Sequence, residues 1–228
     1  LIRFAVIIPA AGRSVRFGAD KLQAELSGRR VIERTLARFV DREDVSRVIV
    51  PTSGDDLAIA HPKLTICAGG SCRAASVLAG LGQLDRSDEW VAVHDAARPL
   101  VSDELIDRVF AAALSHGVAG PALAVGQTIK QAGASLPAPV ERTVPRAGLW
   151  AMQTPQAMRR ADLDRALRSC PIPLDNVTDD LQALELMGVV AWLVPGEDRN
   201  LKLTTPLDLT IAREIVRMDS TNSERPAR

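Results

Sequence analysis

Two kinds of apolar pattern alternate along the chain, and that alternation restricts its fold more than any other feature. Short apolar runs at residues 4–8, 46–50, 64–67, 90–94 and 118–125 have the length and the bounding residues of strands. Between them lie segments with helical spacing. Val31–Val40 brings Val31, Ile32, Leu36, Phe39 and Val40 to one face, and residues 102–116 do the same with Leu105, Ile106, Val109, Phe110 and Ala113. Ser102 is placed to cap that second helix and Gly117 to stop it. The order β-α-β-α predicts an α/β fold, a mostly parallel, doubly wound sheet covered by helices on both faces. Ligands on such sheets bind beyond the carboxyl ends of the strands.

The alternation breaks over "TIKQAGASLPAPVERTVPRAGLW", residues 128–150. Two strand-like pieces, 128–131 and 140–144, flank a turn rich in Gly, Ser and Pro, with too few apolar residues for a core of their own. The segment reads as a β-arm leaving the sheet or as a hairpin folded back on it. Helices are then expected at 161–169 and 178–187, with Leu181, Leu184, Leu186 and Met187 in the core, and a strand at 189–194. A last helix opens with Thr205 as cap and Pro206 in its first turn. One domain, residues 1–218 with the arm at 128–150, accounts for this pattern, and the polar residues 219–228 are expected to be disordered.

Composition narrows the function classes. The 28 basic and 28 acidic side chains cancel, so no overall field gathers nucleic acid or anionic lipid. No stretch approaches the ~20 apolar residues of a membrane span, and the first ten residues are too short and too soon broken for a signal peptide. Cys67, Cys72 and Cys170 are odd in number and lack framework spacing, and no fourth zinc ligand joins Cys67, Cys72 and His61. Buried thiols in a cytoplasmic protein are the expectation.

Charge therefore has to act locally, and "PAAGRSVRFGADK" concentrates it. Gly12 and Gly18 fit neither G-x-G-x-x-G nor G-x-x-x-x-G-K-[ST]. The first strand leads instead into a loop with Arg13, Arg16 and Lys21, suited either to a triphosphate or to plain solvation. "CAGGSCRAASVLAGL" places Gly69, Gly70 and Ser71 between a strand end and a helix start, where free amides favour polar ligand edges. In "VHDAARP" Asp95 follows another strand, as an organiser of metal or ribose or as a cap or partner of Arg98. Three loops after three strands are expected to face one crevice.

"PAAGxxxRxGxxK", "GGxxRxxSVxxGL", "VHDAARP", "RAGLWxxQTPQ", "TDD" and "LKLTT" occur here in that order. With these motifs the chain resembles the sugar-alcohol phosphate cytidylyltransferases from about Arg3 to Val216, most of all those of isoprenoid biosynthesis that act on methylerythritol phosphate. The resemblance implies CTP and methylerythritol phosphate as substrates, Mg²⁺ as cofactor, and a homodimer in which the arm crosses to the partner. It implies that Arg16 and Lys21 neutralise the phosphates in catalysis. Ala10, Ala11, Gly12, Gly69, Gly70, Ser71 and Ser76 would surround the nucleotide, with Asp95 and Arg98 by ribose and metal. Arg146, Lys202 and Thr128 would hold the polyol phosphate, with Asp179 as a further candidate. Arg73, one turn from Ser76, either braces the loop or is exposed. The chain departs from the family pattern at Ser14, at Asp20 before the loop lysine, and at Gln127. Transfer to ribitol 5-phosphate is the neighbouring reading, and a nucleotide-binding regulatory domain without turnover is the one from another class.

Overall fold

A computed structural model describes residues 2–12, 20–54 and 59–223. Its first half runs β1 (Phe4–Ile7), β2 (Glu25–Leu26), β3 (Arg29–Arg30), α1 (Val31–Val40), β4 (Val45–Thr52), β5 (Leu64–Ala68), α2 (Arg73–Leu81), β6 (Trp90–Val93) and α3 (Asp103–His116). The second half runs β7 (Val118–Ala124), β8 (Ile129–Ala132), β9 (Val140–Val144), β10 (Trp150–Met152), β11 (Gln156–Arg159), α4 (Arg160–Arg168), α5 (Asp180–Glu185), β12 (Trp192–Pro195) and α6 (Pro206–Ser223).

β1 lies inside an eight-stranded sheet, between β4 and β6 and parallel to both, and β5 extends the sheet beyond β4. β11 runs antiparallel between β6 and β7. Ala119 pairs with both β11 and β12, and Ala122 with both β10 and β12, so β12 lies on the far edge of β7. Six strands are thus parallel, as the alternation predicts, and the short β10 and β11 oppose them.

Period-two alternation divides the core. Phe4, Val6 and Ile8, with Trp90 and Ala92, pack against α1, α3 and α6. Ile7, Val91 and Val93 point the other way, into α2, α4 and α5. Strands buried on both faces read as unbroken apolar runs, which is why "FAVI" and "WVAV" stand out in the sequence. Ser102 Oγ accepts from Leu105 N at 3.0 Å, and Gly117, at φ 89°, turns the chain out of α3.

Several expectations need correction. Residues 219–223 of the tail are helical, with Glu214 paired to Arg217, Asp219 paired to Arg199, and Thr221 Oγ1 donating to Met218 O, while 224–228 lie outside the described residues. Leu186 and Met187 are exposed, since α5 stops at Glu185 and Gly188 turns the chain, and the next strand starts only at Trp192. β10 and β11 flank Pro155 and are too short to show a period. Cys67 and Cys72 are half-buried rather than buried, and both are free thiols. Among the described residues β8 and β9 pair only with each other, a ribbon outside the main sheet. No helix among the described residues is long and apolar enough to cross a membrane.

Candidate active site

The carboxyl ends of β1, β4, β5 and β6 open onto one cleft of about 650 Å³. Ala10, Ala11 and Gly12 line it from the loop after β1, Ser53 from that after β4, Gly70 and Ser71 from that after β5, and Asp95 from that after β6. The expected convergence of loops is therefore met. Lys21 and Lys202 close the cleft from two further segments. The walls fit closely: a Cβ on Gly69 would lie 2.4 Å from Ala11 Cβ, and one on Gly70 only 2.6 Å from the Ala75 backbone. Ser76 Oγ accepts from Gly70 N at 3.0 Å, which fixes the loop over the start of α2.

Asp95 is the one carboxylate lining the cleft among the described residues, and three cations hold it. Arg73 Nε lies 3.1 Å from Oδ1, while Arg98 Nε at 3.4 Å and Lys202 Nζ at 2.9 Å approach Oδ2. Burial alone would raise its pKa, but Arg73, Lys202 and Arg98 outweigh that and keep it well below the usual carboxylate range. Arg73 continues to a second acid, Asp180 Oδ2, at 2.8 Å. Burial pushes the Asp180 carboxyl up, and Arg73 only partly opposes it. The Arg73 guanidinium is itself penalised by burial, but Asp180 and Asp95 lift its pKa above the ordinary value.

Behind Asp95 a hydrogen-bond chain leads to His94. Asp95 N donates to Thr154 Oγ1 at 3.0 Å, the Thr154 hydroxyl donates to His94 Nδ1 at 3.1 Å, and His94 Nε2 donates to Arg98 O at 3.1 Å. The Arg98 carbonyl can only accept, so this chain defines the neutral tautomer. Full burial pushes the His94 pKa down to about 4. The imidazole is thus a structural group.

"QTPQ" now has a physical reading. Gln153 Nε2 donates to Glu197 O at 2.8 Å and its Oε1 accepts from Glu197 N at 3.1 Å. Arg98 Nη1 donates to Asn200 O at 2.7 Å. Together they fix the turn that delivers Lys202. Gln156 Oε1 accepts from Asp180 N and Leu181 N at 3.0 and 3.3 Å, and its Nε2 donates to Asp179 Oδ2 at 2.8 Å. The two glutamines flank a cis Thr154–Pro155 bond and tie the sheet to the elements carrying Lys202 and Asp180.

The family defined as 2-C-methyl-D-erythritol 4-phosphate cytidylyltransferase matches residues 4–218. The chain belongs to this family. It is 42% identical over 220 residues to the enzyme of that name from Chromobacterium violaceum, covering 92% of this chain and 96% of that protein. The relative from Dechloromonas aromatica is 40% identical, over 94% of this chain and 98% of its own length. The crystal structure of the Francisella tularensis enzyme superposes with a TM-score of 0.83 at 32% identity, covering 93% and 99% of the two chains.

Within the cytidylyltransferase frame, Ala10, Ala11, Gly12, Lys21, Gly70, Ser71, Ser76, Asp95 and Lys202 share the cleft, with Gly69 packed behind Ala11. Arg16 lies outside the described residues, as do Arg13 and Ser14. Arg98 does not line the cleft. Its guanidinium turns to the Asn200 and Met152 carbonyls. Thr128 and Arg146 are exposed near the ribbon, where Arg146 Nη1 donates to Gly126 O. Asp179 accepts from Gln182 N at 2.9 Å as the cap of α5 and is absent from the cleft wall. Arg73 lines the cleft and braces it. Asp180 is the residue sequence reasoning missed: "TDD" read as a helix start, and only the fold brings it to Arg73, 107 residues away.

Proposed function

We propose that the protein transfers the cytidylyl group of CTP to 2-C-methyl-D-erythritol 4-phosphate, releasing pyrophosphate. The observation that carries this reading is the match across residues 4–218, with Lys21, Asp95 and Lys202 of its motifs gathered in one cleft. A phosphate oxygen of the polyol phosphate bonds to the α-phosphorus of CTP as the bridge to the β-phosphate breaks. With a second pKa near ~6, that phosphate is already largely dianionic at neutral pH and needs no general base. A neutral, fully buried His94 agrees with that chemistry. The chain's work is to align two anions and stabilise the charge that gathers between them.

Lys21 and Arg16 are assigned to the CTP phosphates, and Lys202, Arg146 and Thr128 to the polyol phosphate. The amides and carbonyls of residues 69–71 read the cytosine edge. Among the described residues no group of three or more His, Cys, Asp or Glu can hold a metal ion. One carboxylate beside a phosphate site still fits Mg²⁺, which is bound largely by phosphates and water, and Asp95 would hold it. Held there, Mg²⁺ would supply charge neutralisation for the leaving pyrophosphate.

We further assign a homodimer through the ribbon of β8 and β9 and the adjoining β10. Val140 on the ribbon and Trp150 on β10 expose 58 and 52% of their surface, apolar area that a second copy would cover. The free cysteines suit a reducing compartment, and we place the protein in the cytoplasm.

The test is pyrophosphate release from CTP with methylerythritol, ribitol and erythritol phosphates as acceptors. Methylerythritol phosphate is expected to have the highest kcat/KM, and CTP to be used far better than UTP, ATP or GTP. Preference for ribitol phosphate would overturn the acceptor, comparable turnover with UTP would overturn the cytosine assignment, and no turnover with any acceptor would make this a binding domain.

A further inference from the structure

Asp180 is 1% exposed, and a buried carboxylate needs a reason. Its Oδ2 takes Arg73 Nη2, but Oδ1 is buried with no hydrogen-bond partner among the described residues. A half-satisfied carboxylate contributes poorly to stability compared with an apolar residue in its place. The arrangement makes sense through what lies on the other side of Arg73. Three cations contact Asp95, and Arg73 is the one that reaches past it to a second acid. Two carboxylates, one after β6 and one at the first turn of α5, hold Nε and Nη2 of a single planar guanidinium. The fork geometry of arginine fixes its plane, and with it the direction of Asp95 Oδ1, in a way that a point charge cannot.

We propose that Arg73 is a positioning residue for the transfer step, anchored by Asp180, and that it acts by holding the Asp95 carboxylate in one orientation at the wall of the cleft. This rests on the cytidylyl-transfer reading and adds two residues to it. Lys202 is 41% exposed and free to exchange partners when a phosphate arrives. Arg73, fixed at both ends, keeps Asp95 in place during that exchange. Gln156 holds the backbone amides of Asp180 and Leu181, so the anchor is tied to the sheet as well.

A merely structural pair and a positioning pair differ in one respect. Arg73→Met leaves Asp180 buried without a charge partner, so this variant is expected to lose stability whatever its role. Adding Asp180→Asn removes the stranded charge and is expected to restore the melting temperature. Under the proposal kcat does not return with the fold: the double variant stays roughly 10²-fold below wild type, as a misaligned group does. Its Kd for CTP, from calorimetry, stays within about threefold, because the base is read by residues 69–71. Asp180→Asn alone is expected to lower kcat by roughly tenfold, and the two losses are not multiplicative, because Asp180 acts through Arg73.

Recovery of wild-type kcat in the stable double variant would overturn the proposal, as would multiplicative losses. If the double variant does not fold, Asp180→Asn decides alone: lower kcat with unchanged CTP affinity supports the proposal, and unchanged kcat overturns it. The cycle is run with the nucleotide and polyol phosphate that wild type uses best. A different preferred substrate would overturn the proposed function, whereas equal kcat of wild type and variants would overturn only the role of Arg73.

Discussion

Lys21 and Asp20 are neighbours of opposite charge with separate tasks. Asp20 Oδ1 accepts from Leu22 N at 3.0 Å and so shapes the turn, while the Lys21 side chain lines the cleft. Burial would raise the pKa of Asp208, but the amides of Thr205 and Thr204 and the Thr205 hydroxyl, together with the charge of Lys21, hold it below its usual value. Lys21→Ala is expected to lower kcat by about 10²–10³, the effect of removing a preorganised charge from a transition state. Asp20→Pro is expected to stay within a few-fold of wild type in the same assay. His94 gives a pH prediction. Its pKa falls from about 6.5 unfolded to about 4 folded, so between those values the unfolded chain binds a proton that the native one refuses. Stability therefore falls as the pH drops through that window, by about 2 kcal/mol from this group between pH 7 and pH 5. Denaturant melts at the two pH values measure the loss, and an NMR titration should show His94 neutral throughout. The place of Asp95 was legible from the sequence, because it directly follows an apolar strand-like run. The role of Arg73 was not, because its partners come from two distant segments.

At the scale of elements, loops are held by side chains from elsewhere. Gly70 shows how little space they leave: with a Cβ 2.6 Å from the Ala75 backbone, Gly70→Ala has to move the loop or the start of α2. CTP affinity is expected to fall at least tenfold while the sheet core keeps its melting temperature within a few degrees, because the change lies outside both hydrophobic clusters. Gln153→Leu is expected to cost about 1–3 kcal/mol by stranding buried backbone groups of the 197–200 turn. Because that turn carries Lys202, the KM for the polyol phosphate should rise more than that for CTP. Helices α1 and α3 were readable because their period repeats several times, and β1 and β6 because strands buried on both faces are unbroken apolar runs. β10 and β11 were not, because "WAM" and "QAMR" carry neither signal and are separated by Pro155. The "QTPQ" motif was visible, but the long-range side-chain hydrogen-bond partners of its residues lie 23 to 60 residues away and emerge only from the fold.

At the scale of the whole molecule, the homodimer proposed through the ribbon of β8 and β9 would complete each site with a residue from the other chain. If Arg146 serves the partner's cleft and Lys21 its own, mixed dimers of Lys21→Ala and Arg146→Ala contain one complete site and one site lacking both residues. Random re-pairing makes about half the dimers mixed, so roughly a quarter of wild-type activity should return after co-refolding. No recovery in a sample shown to contain mixed dimers would keep Arg146 within its own chain. The roles of Lys21, Asp95, Lys202 and Arg73 all depend on the chemistry performed in the cleft, and isotope labelling reads that chemistry. Methylerythritol phosphate carrying ¹⁸O at its three non-bridging phosphate oxygens is incubated with CTP, Mg²⁺ and the protein, and both products are weighed by mass spectrometry. Attack by a phosphate oxygen on the α-phosphorus of CTP predicts CDP-methylerythritol with all three labels and pyrophosphate with none. Label in the pyrophosphate, or CMP formed in place of the joined product, would contradict the account.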